Sequence, residues 1–291
     1  MGFPRTFSAF HAAYHAGYGE SVWGFKSNTP AAGGAPFGTS FGLPISMFQW
    51  AGQNPGPGAA PGAARQPTKA TAGAIPFTNP SGGRSKWLIH MLAIQASSRA
   101  VGGGVTYGLV DRLADNSGLS GTAAGAQTTN LPITAARYTG TAAAGNRIAL
   151  EIWSGIGTTT RTASVTYTNQ AGTGSRVSPS FNISSLASWP RSTYSWVPIP
   201  LAAGDTGVRS VESFTLSGST GTVGNIGVVI YRPLAMLYSN SSSCGGCGYE
   251  SSLYTPVGPV EIKTDACLHW WQVQPGTLPA QLEFNLQMVE N

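Results

Sequence analysis

The stretch from Leu201 to Ala235 constrains this chain more than any other, because it admits only a turn, a strand, a second turn and a second strand. Ala203 to Gly207 is dense in residues that tolerate positive φ or hydrogen-bond their own backbone, so the chain bends there. Beyond it Val208, Val211, Phe214 and Leu216 carry the apolar load, while Arg209, Glu212, Thr215 and Ser217 are polar. The alternation slips once between Val208 and Val211, the signature of a β-bulge. Gly218 to Gly224 turns again. Ile226 to Tyr231 is then an almost unbroken apolar run, suited to a strand covered on both faces, and Pro233 is expected to end it.

Similar punctuation runs through the middle of the chain. Strands are expected at Ile75–Ser97 (carrying His90), Val105–Leu113, Arg147–Ile156, Thr160–Asn169, Val177–Ile183 and Tyr194–Ile199, with a Gly/Thr-rich loop between the second and third. Further strands are expected at 260–262, 267–273 and 281–289. In the last, Leu282, Phe284, Leu286 and Met288 alternate with polar neighbours, which marks a half-buried strand. No amphipathic helix exceeds two turns. The expected fold is all-β, an antiparallel jelly-roll-like β-sandwich with an extended N-terminal arm. Its parts are an arm and linker over 1–69, a sandwich body over 70–237, and a Cys-containing loop with C-terminal strands over 238–291 that complete the sandwich.

The arm holds Phe3, Phe7, Phe10, Tyr14, Tyr18, Trp23, Phe25, Phe37, Phe41, Phe48 and Trp50 among Gly, Ala and Pro, and Gln53 to Ala64 reads as a linker. Such a segment cannot build its own core, yet its aromatics are costly to leave in water. Two readings stand side by side: the arm lies on a neighbouring subunit with the aromatics as interface anchors, or it wraps over its own sandwich. Charged residues are only 9% of the chain, against about 25% in a typical globular protein. That depletion fits a surface packed against neighbours, and it leads to the expectation of a homo-oligomer, a trimer first. Residues 1–110 carry Arg5, Lys26, Arg65, Lys69, Arg84, Lys86 and Arg99 against Glu20 alone. These cations never form a run, so nucleic-acid binding is not expected. No apolar stretch approaches the ~20 residues of a membrane span, and no signal peptide is visible.

Cys244, Cys247, Cys267 and His269 form the one constellation with ligand character. Cys-x-x-Cys-Gly resembles half of a structural zinc site, and Cys267 and His269, two apart on a strand, share a face. A Cys244–Cys247 disulfide and inert thiols are the alternatives, and the sequence leaves all three open. Asp111 and Asp115 have the look of paired carboxylates, but Arg112 between them makes an ion-paired turn the simpler reading. Gly102 to Gly104 lacks the Lys-Ser/Thr of a phosphate loop. No catalytic constellation is legible, and the chain is not expected to be an enzyme.

Tyr167 to Thr173 (YTNQAGT) with Arg176 close behind, and Ala203 to Val211 (AGDTGVRSV), resemble a family of tailed-bacteriophage virion structural proteins. The similarity extends to Thr68–Pro80 (TKATAGAIPFTNP) and Asp111–Asn116 (DRLADN) and covers about 68–237. The resemblance implies a place in a phage particle after synthesis in the host bacterial cytoplasm. It makes a capsid decoration or cement protein, binding between subunits of the major capsid protein or to other virion proteins, the first expectation. The alternative is a tail- or fibre-associated module whose aromatics, Trp270, Trp271, Tyr249 and Tyr254 foremost, stack on host saccharide. Adjacent strand residues point to opposite faces, so only one of Trp270 and Trp271 can be exposed.

Overall fold

The computed structural model describes residues 12–27, 44–95, 105–132, 137–183, 193–239, 248–251, 259–273 and 281–291. Among them are seventeen strands: β1 (Gly19–Ser27), β2 (Pro44–Ser46), β3 (Ala51–Gln53), β4 (Lys86–Gln95), β5 (Val105–Asp115), β6 (Gly125–Pro132), β7 (Arg147–Ser154), β8 (Thr162–Asn169), β9 (Arg176–Val177), β10 (Phe181–Asn182), β11 (Trp196–Ile199), β12 (Val208–Leu216), β13 (Asn225–Ser239), β14 (Gly248–Ser251), β15 (Val260–Ile262), β16 (Leu268–Val273) and β17 (Gln281–Glu290). All pairings between them are antiparallel. The fold is the expected all-β sandwich. No helix of the described residues is long and apolar enough to cross a membrane.

Three sheets build it. The first has the order β14-β4-β17-β1-β3, with β15 also on β4; the second β10-β8-β12-β6, with β9 on β8; the third β11-β7-β13-β5-β16-β2. The third is shared. Val105, Tyr107, Leu109, Leu237, Leu268 and Trp270 project from one of its faces onto Leu88, Phe284, Leu286 and Met288 of the first sheet. Farther along the same face, Leu113, Ile148, Leu150, Val228 and Ile230 meet Val165, Tyr167, Phe214 and Leu216 of the second. The long β5–β13 ladder therefore runs under two apolar cores in succession.

Two bulges let one ladder do this. In the β5–β13 pair the register slips between Ile230 and Tyr231 and again between Pro233 and Ala235. The first slip leaves Leu113 without an opposite number, so Arg112 and Asp115, three apart, come to the same face; three apart on a regular strand they would diverge. The second sits at Pro233. Proline was expected to end the strand, but β13 continues to Ser239, because the bulge falls where the missing N–H would have broken the ladder.

The segment before Lys69 does not stand off as an arm where it is described. Gly19–Ser27 is a full strand between β17 and β3, in register from Gly19↔Val289 to Ser27↔Gln281. Its inward positions are Glu20, Val22, Gly24 and Lys26, a pattern that conceals a strand from any reading of hydrophobic alternation. Trp50 belongs to the first core.

Candidate functional site

Of the expected interface aromatics, Phe3, Phe7, Phe10, Phe37 and Phe41 lie outside the described residues. Phe48 and Trp50 turn inward, almost wholly buried. Phe48 lies edge-on to Trp153 and His269 and covers the Arg112 guanidinium, 4.3 Å from its ring centroid. Phe48 shields the charge on the outer face of the third sheet from water, whereas Trp50 packs in the first core. Gly58 lets the loop after β3 close over Phe48: a Cβ there would stand 2.5 Å from the ring. Tyr14 and Phe25 are half-buried, whereas Tyr18 and Trp23 face outward. Arg84 stacks on Tyr18 at 3.9 Å.

The charge beneath Phe48 is an ion network. Arg112 Nε donates to Asp115 Oδ2 at 2.6 Å, and its terminal nitrogen to Glu151 Oε2 at 2.5 Å. All three side chains have no exposed surface. Arg65 clamps Asp115 from outside through 2.8 and 3.2 Å contacts, and Gln49 donates to Glu151 at 3.3 Å. The cation and carboxylate charges of this group balance, as burial demands. Asp111 faces the opposite side of β5, at the junction of the two cores. Arg137 Nε stands 3.2 Å from its Oδ2, near enough for an ion pair but off the line of a hydrogen bond. Cys267 N donates to its other oxygen at 2.8 Å. Burial raises the Asp111 carboxyl to about 7, against the pull of Arg137 and Cys267 N. Arg112 does pair with Asp115, but on a bulged strand rather than in a turn, and the two aspartates take separate partners.

Cys267 and His269 share the outer face, as their spacing required. Cys267 packs with Phe48, Ala74 and Trp153. Burial pushes its thiol up. Burial, with Arg112 and Lys26 adding to it, holds the His269 imidazole well below its usual range, hence neutral. Cys244 and Cys247 lie outside the described residues. Among the described residues no three His, Cys, Asp or Glu side chains are grouped to hold a metal.

Two of the segments that carry the resemblance, Tyr167–Arg176 and Ala203–Val211, meet in space. Asp205 accepts from Tyr167 Oη at 2.6 Å, Asn169 Nδ2 at 2.8 Å and Arg176 Nε at 2.8 Å. The Arg176 hydrogen bond foremost, with those of Tyr167 and Asn169, lowers its carboxyl to about 2. Tyr167 Oη accepts from Ala202 N at 2.8 Å, and Gln170 Oε1 accepts from Thr206 N and Gly207 N at 3.0 and 3.1 Å. The YTNQ turn and the AGDTG turn thus lock each other. Asn116 of DRLADN pairs with Val228 N at 2.8 Å, and Asn79 of IPFTNP with Asp265 at 2.8 Å. These motif residues tie loops to the sandwich.

Some large apolar side chains remain exposed. On the outer face of β13, Met236 and Tyr238 are 61% and 55% exposed. They sit opposite Gly108 and Thr106 of β5, and Gly108 in turn lies opposite Trp271 of β16. Trp271, half-buried, lies flat over Gly108, where a Cβ would stand 2.2 Å from its ring. Its neighbour Trp270 is in the first core. Tyr254 lies outside the described residues, as does the side chain of Tyr249.

No family model matches the chain, and no curated protein does. Among solved structures, that of the infectious bursal disease virus Gx strain aligns over 94% of this chain and 81% of its own at 9% identity, with a TM-score of 0.19. The VP2 subviral particle of infectious bursal disease virus aligns over the same shares at 8% identity, with a TM-score of 0.19.

Proposed function

We propose that this chain is a structural protein of a virus particle, and within that class a capsid-decorating protein of a tailed phage that seats on the major capsid protein. The observation that carries the reading is the outer strip of Met236, Tyr238 and Trp271 on a rigid sheet. An apolar strip on a scaffold so poor in charge has the character of the core of a protein interface. The motif resemblance supports the same reading. Its residues lock loops to the sandwich, which suits a protein whose work is to present a fixed surface.

The test is incorporation. Particles purified by density gradient should contain the chain, with antibody label over the heads. A Met236→Glu, Tyr238→Glu variant should fold, by its far-ultraviolet spectrum, and be missing from the particles. Absence of the wild-type chain from purified particles would refute the virion assignment. Label over tails, or a variant that incorporates at normal occupancy, would refute decoration through this strip.

A further inference from the structure

The structure assigns a second binding site, at the open edge of β1, to a neutral saccharide. β1 pairs with β17 along its whole length but with β3 only at Phe25–Ser27. Among the described residues no strand pairs with that edge at Glu20–Trp23, and the segment Pro76–Thr78 runs beside it. Between them lies a shallow, solvent-open cleft of about 530 Å³. Glu20, Ser21, Trp23, Asn54, Phe77 and Thr78 are among its lining residues.

Its walls are held before any ligand arrives. Thr78 N donates to Glu20 Oε1 at 2.8 Å, and Lys86 Nζ to Glu20 Oε2 at 2.5 Å. Asn54 Nδ2 donates to Trp23 O at 2.5 Å. Asn54 comes this close because residue 24 is glycine: a Cβ there would sit 2.0 Å from Asn54 O. A site fixed in this way loses little freedom on binding.

The lining chemistry selects the ligand. Trp23 is 58% exposed, a flat, electron-rich ring with little protein cover. The C–H face of a pyranose ring is the apolar surface that matches it, while the sugar's hydroxyls meet carboxylate, amide and hydroxyl groups on the other side. Glu20 already accepts from Thr78 N and Lys86 Nζ, and no Lys or Arg is among the lining residues, so an anion gains no counter-charge there. A wholly apolar ligand would strip water from the polar wall and return no hydrogen bonds. An added peptide strand is disfavoured because Asn54 already occupies the Trp23 carbonyl that such a strand would need.

Titration of the full chain with maltotriose, cellotriose and chitotriose, by calorimetry and saturation-transfer NMR, tests the site. At least one should bind with a Kd between about 0.1 and 5 mM. Trp23→Ala should weaken it roughly tenfold or more, and Trp23→Phe, which keeps an aromatic face, only about threefold. Trp23 is outward-facing, so both variants should keep the wild-type melting curve. No binding of any of the three at ~20 mM, or equal binding by Trp23→Ala, would overturn the assignment. So would a strand-forming peptide that perturbs the β1 amide resonances where the sugars do not.

Discussion

Arg112→Met is the most informative single change, because it isolates the buried network from everything around it. Methionine keeps much of the side-chain volume and a favourable contact with the Phe48 and Trp153 rings, so cavity formation is a minor part of the loss. Electrostatics dominates. Asp115 retains Arg65, at 2.8 and 3.2 Å. Among the described residues Glu151 retains only Gln49, at 3.3 Å, and becomes a fully buried carboxylate with no cation among them. Removing one partner of a buried pair costs about 3–5 kcal/mol. That is a large share of the roughly 5–15 kcal/mol by which domains are stable. If the loss comes from the abandoned carboxylate, removing that carboxylate as well should restore much of it. Arg112→Met with Glu151→Met should therefore be more stable than Arg112→Met alone, with a coupling of about 2–3 kcal/mol between the two sites. Urea midpoints at constant slope give all three values. Additivity within ~0.5 kcal/mol, or an Arg112→Met protein as stable as the wild type, would refute the reasoning.

Four further outcomes are expected. Tyr167→Phe removes both the bond to Asp205 and the one from Ala202 N and should cost about 1–2 kcal/mol, read as a urea midpoint. The Asp205 carboxyl is depressed to about 2, so its contribution is complete above about pH 4, its unfolded value, and lost as pH falls through about 2; the stability difference between wild type and Asp205→Asn should close over that window in an acid titration. Burial lowers the Lys26 ammonium to about 7, so the unfolded chain binds the extra proton between about pH 7 and 10.5 and stability should rise with pH there, a rise that Lys26→Met should abolish in paired urea melts at pH 7 and 9.5. Sedimentation at micromolar concentration should show an oligomer, a trimer in the first instance, and a folded monomer would refute self-association.

The legible part of the sequence was the part in which hydrophobic alternation meets no competitor. Val208, Val211, Phe214 and Leu216 are all buried, with a register slip between Val208 and Ser210 where one was expected and a second, unforeseen, between Val211 and Ser213. Leu282, Phe284, Leu286 and Met288 behave the same way. β1 escaped notice because Glu20 and Lys26 occupy core-facing positions, made tolerable by Lys86 and by the Trp50 and Gly56 carbonyls. β6 was read as a loop because, as an edge strand of the second sheet, it can be built from Ala, Gln, Thr and Asn with Leu131 as its main apolar anchor. In the candidate sites, Trp270 and Trp271 could be divided between faces from sequence, since period 2 is a property of any strand. The Trp23 cleft could not, because it depends on where β3 stops pairing with β1, and no local pattern encodes that.

The same limit explains the charge asymmetry along the chain. The first 110 residues carry seven of the sixteen Lys and Arg but only one of the eleven acids, which along the sequence looks like a basic module awaiting an acidic partner. In space the acids of the remaining chain reach them. Arg65 meets Asp115, and Lys86 meets Glu290 as well as Glu20. Lys26 is spanned by two backbone carbonyls, Lys69 donates to Phe77 O at 3.0 Å, and Arg84 lies on Tyr18. Cations held this way are desolvated or geometrically fixed and project little field outward. The excess of positive charge is thus a consequence of sheet topology, in which early segments are laid against strands made last. Among the large apolar side chains of those early segments, Tyr18 just before β1 and Trp23 within it stay exposed. In the Arg65, Lys69 and Lys86 contacts charge holds the chain's own loops and strands in place.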